Sequence, residues 1–216
     1  MMGIKAPKRA LPVVFAFMWL ILIVSQLQAQ PQALSLDQLP NLIRVPLVRQ
    51  GTDYTCGVAA FHSVLGYYGQ DIRDDKLIRA MRVTRAGANY RFILKEAARL
   101  GYNARMFTDM TLEGLQALLD QGKPTILIIQ AWADPPVDYA KDWKDGHYVV
   151  AVGYDADNVY FMDPSTLGNY TFIPVAEFLE RWHDRDDWRR QNLNHCAIVI
   201  DGKPPVYDPN AIKRLE

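Results

Sequence analysis

Near residue 122 the spacing of the apolar side chains changes, and that change restricts the fold more than any other feature of the chain. Before it, apolar residues recur at helical intervals. In CGVAAFHSVLGYYG (56–69), Val58, Phe61, Leu65 and Tyr68 are spaced for one face and Gly69 closes the segment. DIRDDKLIRAM (71–81), ANYRFILKEAARLG (88–101) and TLEGLQALLDQG (111–122) read the same way, the last opening on a threonine cap and closing at glycine. YNARMFT (102–108) alternates as a strand, and RVPLVRQ (44–50) reads as a short extended segment. After residue 122 the runs become β-branched and continuous: KPTILIIQA (123–131), HYVVAVGYD (147–155), NVYFMDP (158–164), NYTFIP (169–174) and HCAIVIDG (195–202). VAEFLERWHD (175–184) returns to helical spacing. Helices first and strands second, two of them joined by the turn DADN, predict an α+β fold with N-terminal helices packed on a C-terminal antiparallel sheet.

The N-terminus has a different character. Lys5, Lys8 and Arg9 precede an apolar run from Ala10 to Val24 interrupted by Pro12. An export-signal core is about 7–15 apolar residues, whereas a membrane-spanning helix needs about 20. Residues 1–29 therefore read as a cleaved export signal ending at Ala29. An uncleaved anchor through residues 10–24 is the alternative, and it is the one route to membrane contact. The expected organisation is signal 1–29, linker 30–43, one main domain 44–203 and tail 204–216, with the protein exported and periplasmic. Removing the signal takes three basic and no acidic residues from totals of 24 and 24, leaving a net charge near −3. That excludes the basic footprint of a nucleic-acid binder.

The chain has two cysteines, Cys56 and Cys196. In an oxidising compartment a disulfide between them is the plainest reading. The context of Cys56 argues for a different use. A thiol at the first turn of a helix lies at the positive end of the dipole, which favours the nucleophilic thiolate. Gly57 beside it has no side chain and leaves room for a substrate to approach. A nucleophile also needs a base and a group that orients the base.

Of the four histidines, His62 falls on another face of the helix and reads as structural, and His183 sits in the charged segment RWHDRDDWRR, read as solvated surface. His195 is a rival base. His147 is the stronger candidate, because it opens an apolar strand after the long loop WADPPVDYAKDWKDG (132–146). Sixteen residues on, Asp163 ends the next strand. In a hairpin both would lie at the end away from the turn, where the carboxylate could fix the imidazole tautomer. Gln50, six residues before Cys56, could donate its amide N–H to an oxyanion alongside the Cys56 N–H. The loop reads as a flap whose Trp132, Tyr139 and Trp143 either hold a peptide or anchor the loop. Its aspartates read as solvation. No cofactor or metal site is expected.

The pattern Q-x5-C-G-x-A-A, followed by a helix ending in YYG, then GHYVVAVGY, then VYFMDP, resembles the C39 peptidase family, a branch of the papain-like cysteine peptidases. The resemblance runs over about residues 44–201. It implies a papain-like fold, Cys56 as nucleophile, His147 as general base and acid, Asp163 as the orienting residue and Gln50 in the oxyanion hole. The best-known members are domains of ABC exporters that cleave leader peptides after Gly-Gly. This sequence shows no transmembrane bundle and no ATPase P-loop, so that specificity is not carried over. The expected substrate is a peptide or protein outside the cytoplasm. A papain-like acyltransferase and a non-catalytic peptide-binding module on the same scaffold are the alternatives.

Overall fold

The computed structural model describes residues 35–39, 41–166, 170–212 and 214. The expected export signal and residues 30–34 of the expected linker lie outside the described residues. The chain divides into two compact units, Met1–Gln38 and Leu39–Glu216. The described part of the first holds a single 3-10 turn, Leu36–Gln38.

The second unit begins with an irregular segment tied down at a few points. The Ile43 N–H donates to the Val152 carbonyl at 2.8 Å. The Val45 N–H donates to, and its carbonyl accepts from, the Tyr170 hydroxyl. RVPLVRQ is extended as expected, but with a hydroxyl and isolated carbonyls as partners it joins no ladder.

Three helices follow: α1 (Cys56–Tyr67), α2 (Asp74–Ala80) and α3 (Tyr90–Arg99). Gly69 terminates α1 at φ +81°, a conformation open to glycine, and the Gln70 N–H then returns to the Leu65 carbonyl at 2.9 Å. Strand β1 (Asn103–Phe107) leads to α4 (Leu112–Asp120), where the Thr111 side chain accepts from the Gly114 N–H as the sequence predicts. The strand-rich half comprises β2 (Thr125–Gln130), β3 (Gly146–Tyr154), β4 (Asn158–Met162) and β5 (Tyr170–Pro174). After them come α5 (Val175–Arg181), β6 (His183–Asp186), β7 (Gln191–Asn194) and β8 (Ala197–Asp201).

Six strands form one antiparallel sheet in the order β1-β8-β2-β3-β4-β5. β2, between β8 and β3, is buried along its whole length, which explains its unbroken apolar run. Ile129 faces His147 across the β2–β3 ladder and Ile128 faces Tyr148, so each pair shares a face of the sheet. α1 packs on β3 from the Tyr148 face, where Gly57 lets the helix approach Tyr148 closely. α5 covers the opposite face through Phe178, which lies against Phe161 with ring centroids 5.6 Å apart.

One segment departs from expectation. The helix read over 175–184 stops at Arg181, and RWHDRDDWRR supplies β6 and the turn into β7, so that His183 and Asp186 are buried while residues 187–190 remain exposed as expected of a solvated surface. The physical reason is Trp182. Its indole is fully buried, donates to the Cys196 carbonyl at 2.9 Å and stacks between Phe178 and His195. With Trp182 drawn out of the helix, the following residues pair as strands.

Candidate active site

Cys56 is the first residue of α1. The segment before it is held by its own turn, with Thr55 donating to the Thr52 carbonyl and accepting from the Thr52 N–H. The Cys56 N–H has no acceptor among the described residues, as expected of a first-turn N–H. Gly57 serves packing. A Cβ there would lie 2.7 Å from the Ala88 Cβ and 3.1 Å from the Tyr148 ring. The missing side chain lets α1 seat on β3, which corrects the reading that it makes room for substrate.

That seating brings Cys56, His147 and Asp163 together, although they are far apart in sequence. They are 7%, 5% and 7% exposed. His147 Nε2 lies 2.8 Å from Asp163 Oδ1. This leaves Nδ1 free of Asp163, and the Cys56 thiol lies near enough to the ring for each to shift the other's titration. Asp163 is itself held, accepting from the Ser165 N–H at 2.8 Å and the Thr166 hydroxyl at 3.0 Å. Ser165 and Thr166 went unremarked in the sequence. Their signal is the run Asp-Pro-Ser-Thr, in which an aspartate side chain closes on backbone and hydroxyl groups two and three residues later.

The electrostatics follow from these contacts. Burial pushes the Cys56 thiol up, but the hydrogen bond and charge of His147, with the N–H groups of Tyr148 and Gly57, outweigh it and hold the thiol below its ordinary value. Burial pushes His147 down. The hydrogen bonds and charges of Asp163 and Cys56 overcome this and raise it to about 9. Asp163 is lowered despite its burial, by His147, the Ser165 N–H and the Thr166 hydroxyl. The two shifts run in opposite directions and both favour a thiolate–imidazolium pair, with a carboxylate orienting the ring, over the neutral thiol and imidazole.

Gln50 joins the same cluster. Its N–H donates to the Pro164 carbonyl at 3.0 Å and its Oε1 accepts from the Ser165 hydroxyl at 3.1 Å. Nε2 donates one N–H to the Thr52 carbonyl at 2.8 Å, and an amide nitrogen carries two.

The other histidines lie apart. His62 is bound by Asp74 and Asp71, the structural role expected of it. His183 is buried, with Nε2 2.9 Å from the Asp142 carbonyl and its ring stacked on Trp143. His195 sits at φ +44° just before β8, with Nδ1 3.1 Å from the Met110 carbonyl. Both cysteines are free, so the disulfide reading fails. The aromatic residues of loop 132–146 divide between the two roles considered for them. Trp143 and Tyr139, the latter under the Arg181 guanidinium, anchor the loop. Trp132 is 63% exposed and meets the His147 ring edge-on.

Two cavities open at this end of the sheet. One, of about 550 Å³, touches Cys56, Gly146 and Tyr148 and is walled by the 84–89 loop and the β6–β7 hairpin. The other, of about 420 Å³, touches His147, Val149 and Asp163 and is walled by Trp132, Phe161 and α5. Alternate residues of β3 thus face different cavities, one touched by Cys56 and the other by His147.

The model of the Peptidase_C39 like family matches residues 42–187. Over 128 residues the chain is 30% identical to the transport/processing ATP-binding protein ComA of Streptococcus pneumoniae, an alignment covering 59% of this chain and 16% of that protein. The peptidase domain of Streptococcus ComA, a bi-functional ABC transporter, superposes with a TM-score of 0.57 at 19% identity, covering 74% of this chain and 99% of that domain. A double glycine motif protease from an AMS/PCAT transporter, solved with its leader peptide, gives a TM-score of 0.52 at 23% identity over 76% and 94% of the two chains. These likenesses support the expected α+β peptidase fold. Among the described residues, no helix is long and apolar enough to cross a membrane.

Proposed function

The chain belongs to the Peptidase_C39 like family, and from that membership and its site we propose that it is a cysteine peptidase. The observation that carries the reading is the buried His147–Asp163 pair, 2.8 Å apart, set beside a buried cysteine at the first turn of α1, an arrangement that holds the thiol low and raises the imidazole to about 9. The Cys56 thiolate attacks the carbonyl carbon of a peptide bond, and the Cys56 N–H and the Gln50 amide receive the oxyanion. As the C–N bond breaks, His147 gives its Nδ1 proton to the departing amine. His147 then takes a proton from water, whose oxygen attacks the thioester and releases the acid and the thiolate. Asp163 keeps the ring in the productive orientation throughout.

In this reading residues 44–203 are the peptidase domain, a span supported by the family match and by β8 ending at Asp201. The basic and apolar character of residues 1–29 supports export and a substrate outside the cytoplasm. Iodoacetamide labelling of the folded, non-reduced protein across pH 5 to 9, read by peptide mass, tests the mechanism. Cys56 is expected to react selectively below about pH 7, where an ordinary thiol is protonated. His147→Ala should move that reaction to higher pH. A Cys56 that labels only as an ordinary thiol would refute the reading.

A further inference from the structure

The cavity beside Cys56 contains a carboxylate that the mechanism does not use. Asp184, half-buried on β6, lines it together with Gly146 and Tyr148. Its carboxylate lies against the backbone of Gly146, the residue before His147. A Cβ at 146 would stand 2.7 Å from Oδ1 and 2.9 Å from Oδ2, so glycine at that position is what allows the approach.

The carboxylate is also held in place. Gln130 is fully buried and its Oε1 accepts from the Asp145 N–H at 3.0 Å, which turns Nε2 towards the His183 carbonyl at 3.0 Å and Asp184 Oδ1 at 3.3 Å. The other charges of the cavity are differently disposed. Asp186 pairs with Arg91 at 2.6 Å, Asp187 meets Arg185 at 3.5 Å, and the Arg82 guanidinium lies over the Phe92 ring. Asp53 and Arg85 are exposed. Asp184 forms no ion pair among the described residues. A fixed, half-buried carboxylate without a counter-ion, facing a cavity that adjoins a nucleophile, is suited to a cationic side chain.

The cavity that holds Asp184 is touched by Cys56, and the other by His147. In the peptidase reading the amine that His147 protonates departs towards the cavity His147 lines, which leaves the cavity of Cys56 and Asp184 to the acyl half.

We propose that Asp184 is a specificity-determining residue that receives a lysine or arginine side chain of the substrate on the acyl side of the scissile bond. This rests on the peptidase reading above and extends it to a substrate class. Burial, with the charges of Asp187 and Asp186 adding to it, pushes the Asp184 carboxyl up to about 6, and a substrate cation relieves that cost. Trp188, 81% exposed between β6 and β7, lines the same cavity and offers a ring to the stem of such a side chain.

The test uses chloromethyl ketones of the form Ac-Ala-X-Ala on the full chain at pH 7.5, with X as lysine, arginine, norleucine or glutamate. Alkylation of Cys56 is followed by mass. The lysine and arginine probes should react about tenfold to a hundredfold faster than norleucine, with glutamate slower still. In Asp184→Asn, which keeps the shape and the Gln130 hydrogen bond, the lysine-to-norleucine and glutamate-to-norleucine ratios should both collapse towards one. Each protein's norleucine rate is its own reference. Equal lysine and norleucine rates in a wild type that iodoacetamide labels below pH 7 would overturn the Asp184 assignment and leave the peptidase reading standing. A preference that survives in Asp184→Asn would do the same. A Cys56 that fails with iodoacetamide as well as with every probe would overturn both.

Discussion

Both cysteines are buried, and they are driven in opposite directions. Cys56 is 7% exposed and Cys196 is 1% exposed. Burial alone would raise both. At Cys196 it does, with the charges of Asp184 and Asp109 adding, and the thiol is pushed up to about 12. At Cys56 an imidazole and two backbone N–H groups reverse the outcome. Sequence neighbourhood predicts the opposite result, because Cys196 adjoins a histidine. His195 instead turns to the Met110 carbonyl and stacks on Trp182. A thiol's chemistry here depends on what the fold turns towards it, and burial and sequence adjacency are poor guides.

The largest effect that could break this contrast is removal of each thiol in turn. Cys56→Ala should lower hydrolysis of a fluorogenic tripeptide library by about 10⁴-fold or more, as loss of a nucleophile does. Cys196→Ala should leave hydrolysis unchanged and show its effect in denaturant unfolding. Equal losses would mean that Cys56 is only a packed side chain. A smaller effect sharpens the comparison on the oxyanion side, which Cys196 lacks. Gln50→Ala should cost about 10²–10³-fold in kcat. Iodoacetamide labelling of Cys56 forms no oxyanion and should persist in that variant.

Much of the candidate site is legible in the sequence because its residues sit at element boundaries. Cys56 begins a helix, His147 follows the first residue of a strand and Asp163 follows the end of the next, so the periodicity that marks the elements also marks the site. The hairpin at 183–194 was not legible, for a reason that applies beyond this segment. Its charged residues suggest water, yet Asp186 is buried because Arg91 reaches it from α3, and His183 because Trp143 covers it from the long loop. Partners supplied by distant segments leave no periodic trace. Asp184 carries no sequence mark for the same reason. Gly57 stands out beside Cys56 in the sequence, but its packing role depends on Ala88 and Tyr148, which only the fold brings to it.

Gly57→Ala tests how much the helix seating matters to the Cys56 environment. The new methyl would lie 2.7 Å from the Ala88 Cβ, inside any tolerable contact. Overpacking of this kind costs about 1–3 kcal/mol. Gly51→Ala meets nothing within 4 Å and serves as the control in the same unfolding series. If α1 shifts to relieve the overlap, the thiol moves away from His147 and its labelling below pH 7 should slow as well.

The smallest effect lies in the pH dependence of stability. His147, raised from 6.5 to about 9, contributes stability that is fully present below pH 6.5 and lost as pH rises through about 9. Cys56, lowered from 9.0, contributes stability that is fully present above pH 9 and lost as pH falls through its depressed value. Between pH 6.5 and about 9 the two contributions therefore run in opposite directions. The difference in unfolding free energy between wild type and a Cys56→Ala, His147→Ala double variant should vary less with pH in that window than the His147 shift alone would make it, and should fall as pH rises through about 9. A difference that falls through the window as steeply as the His147 shift alone requires would mean that the thiol keeps its proton, and that Cys56 resembles Cys196 more than its contacts imply.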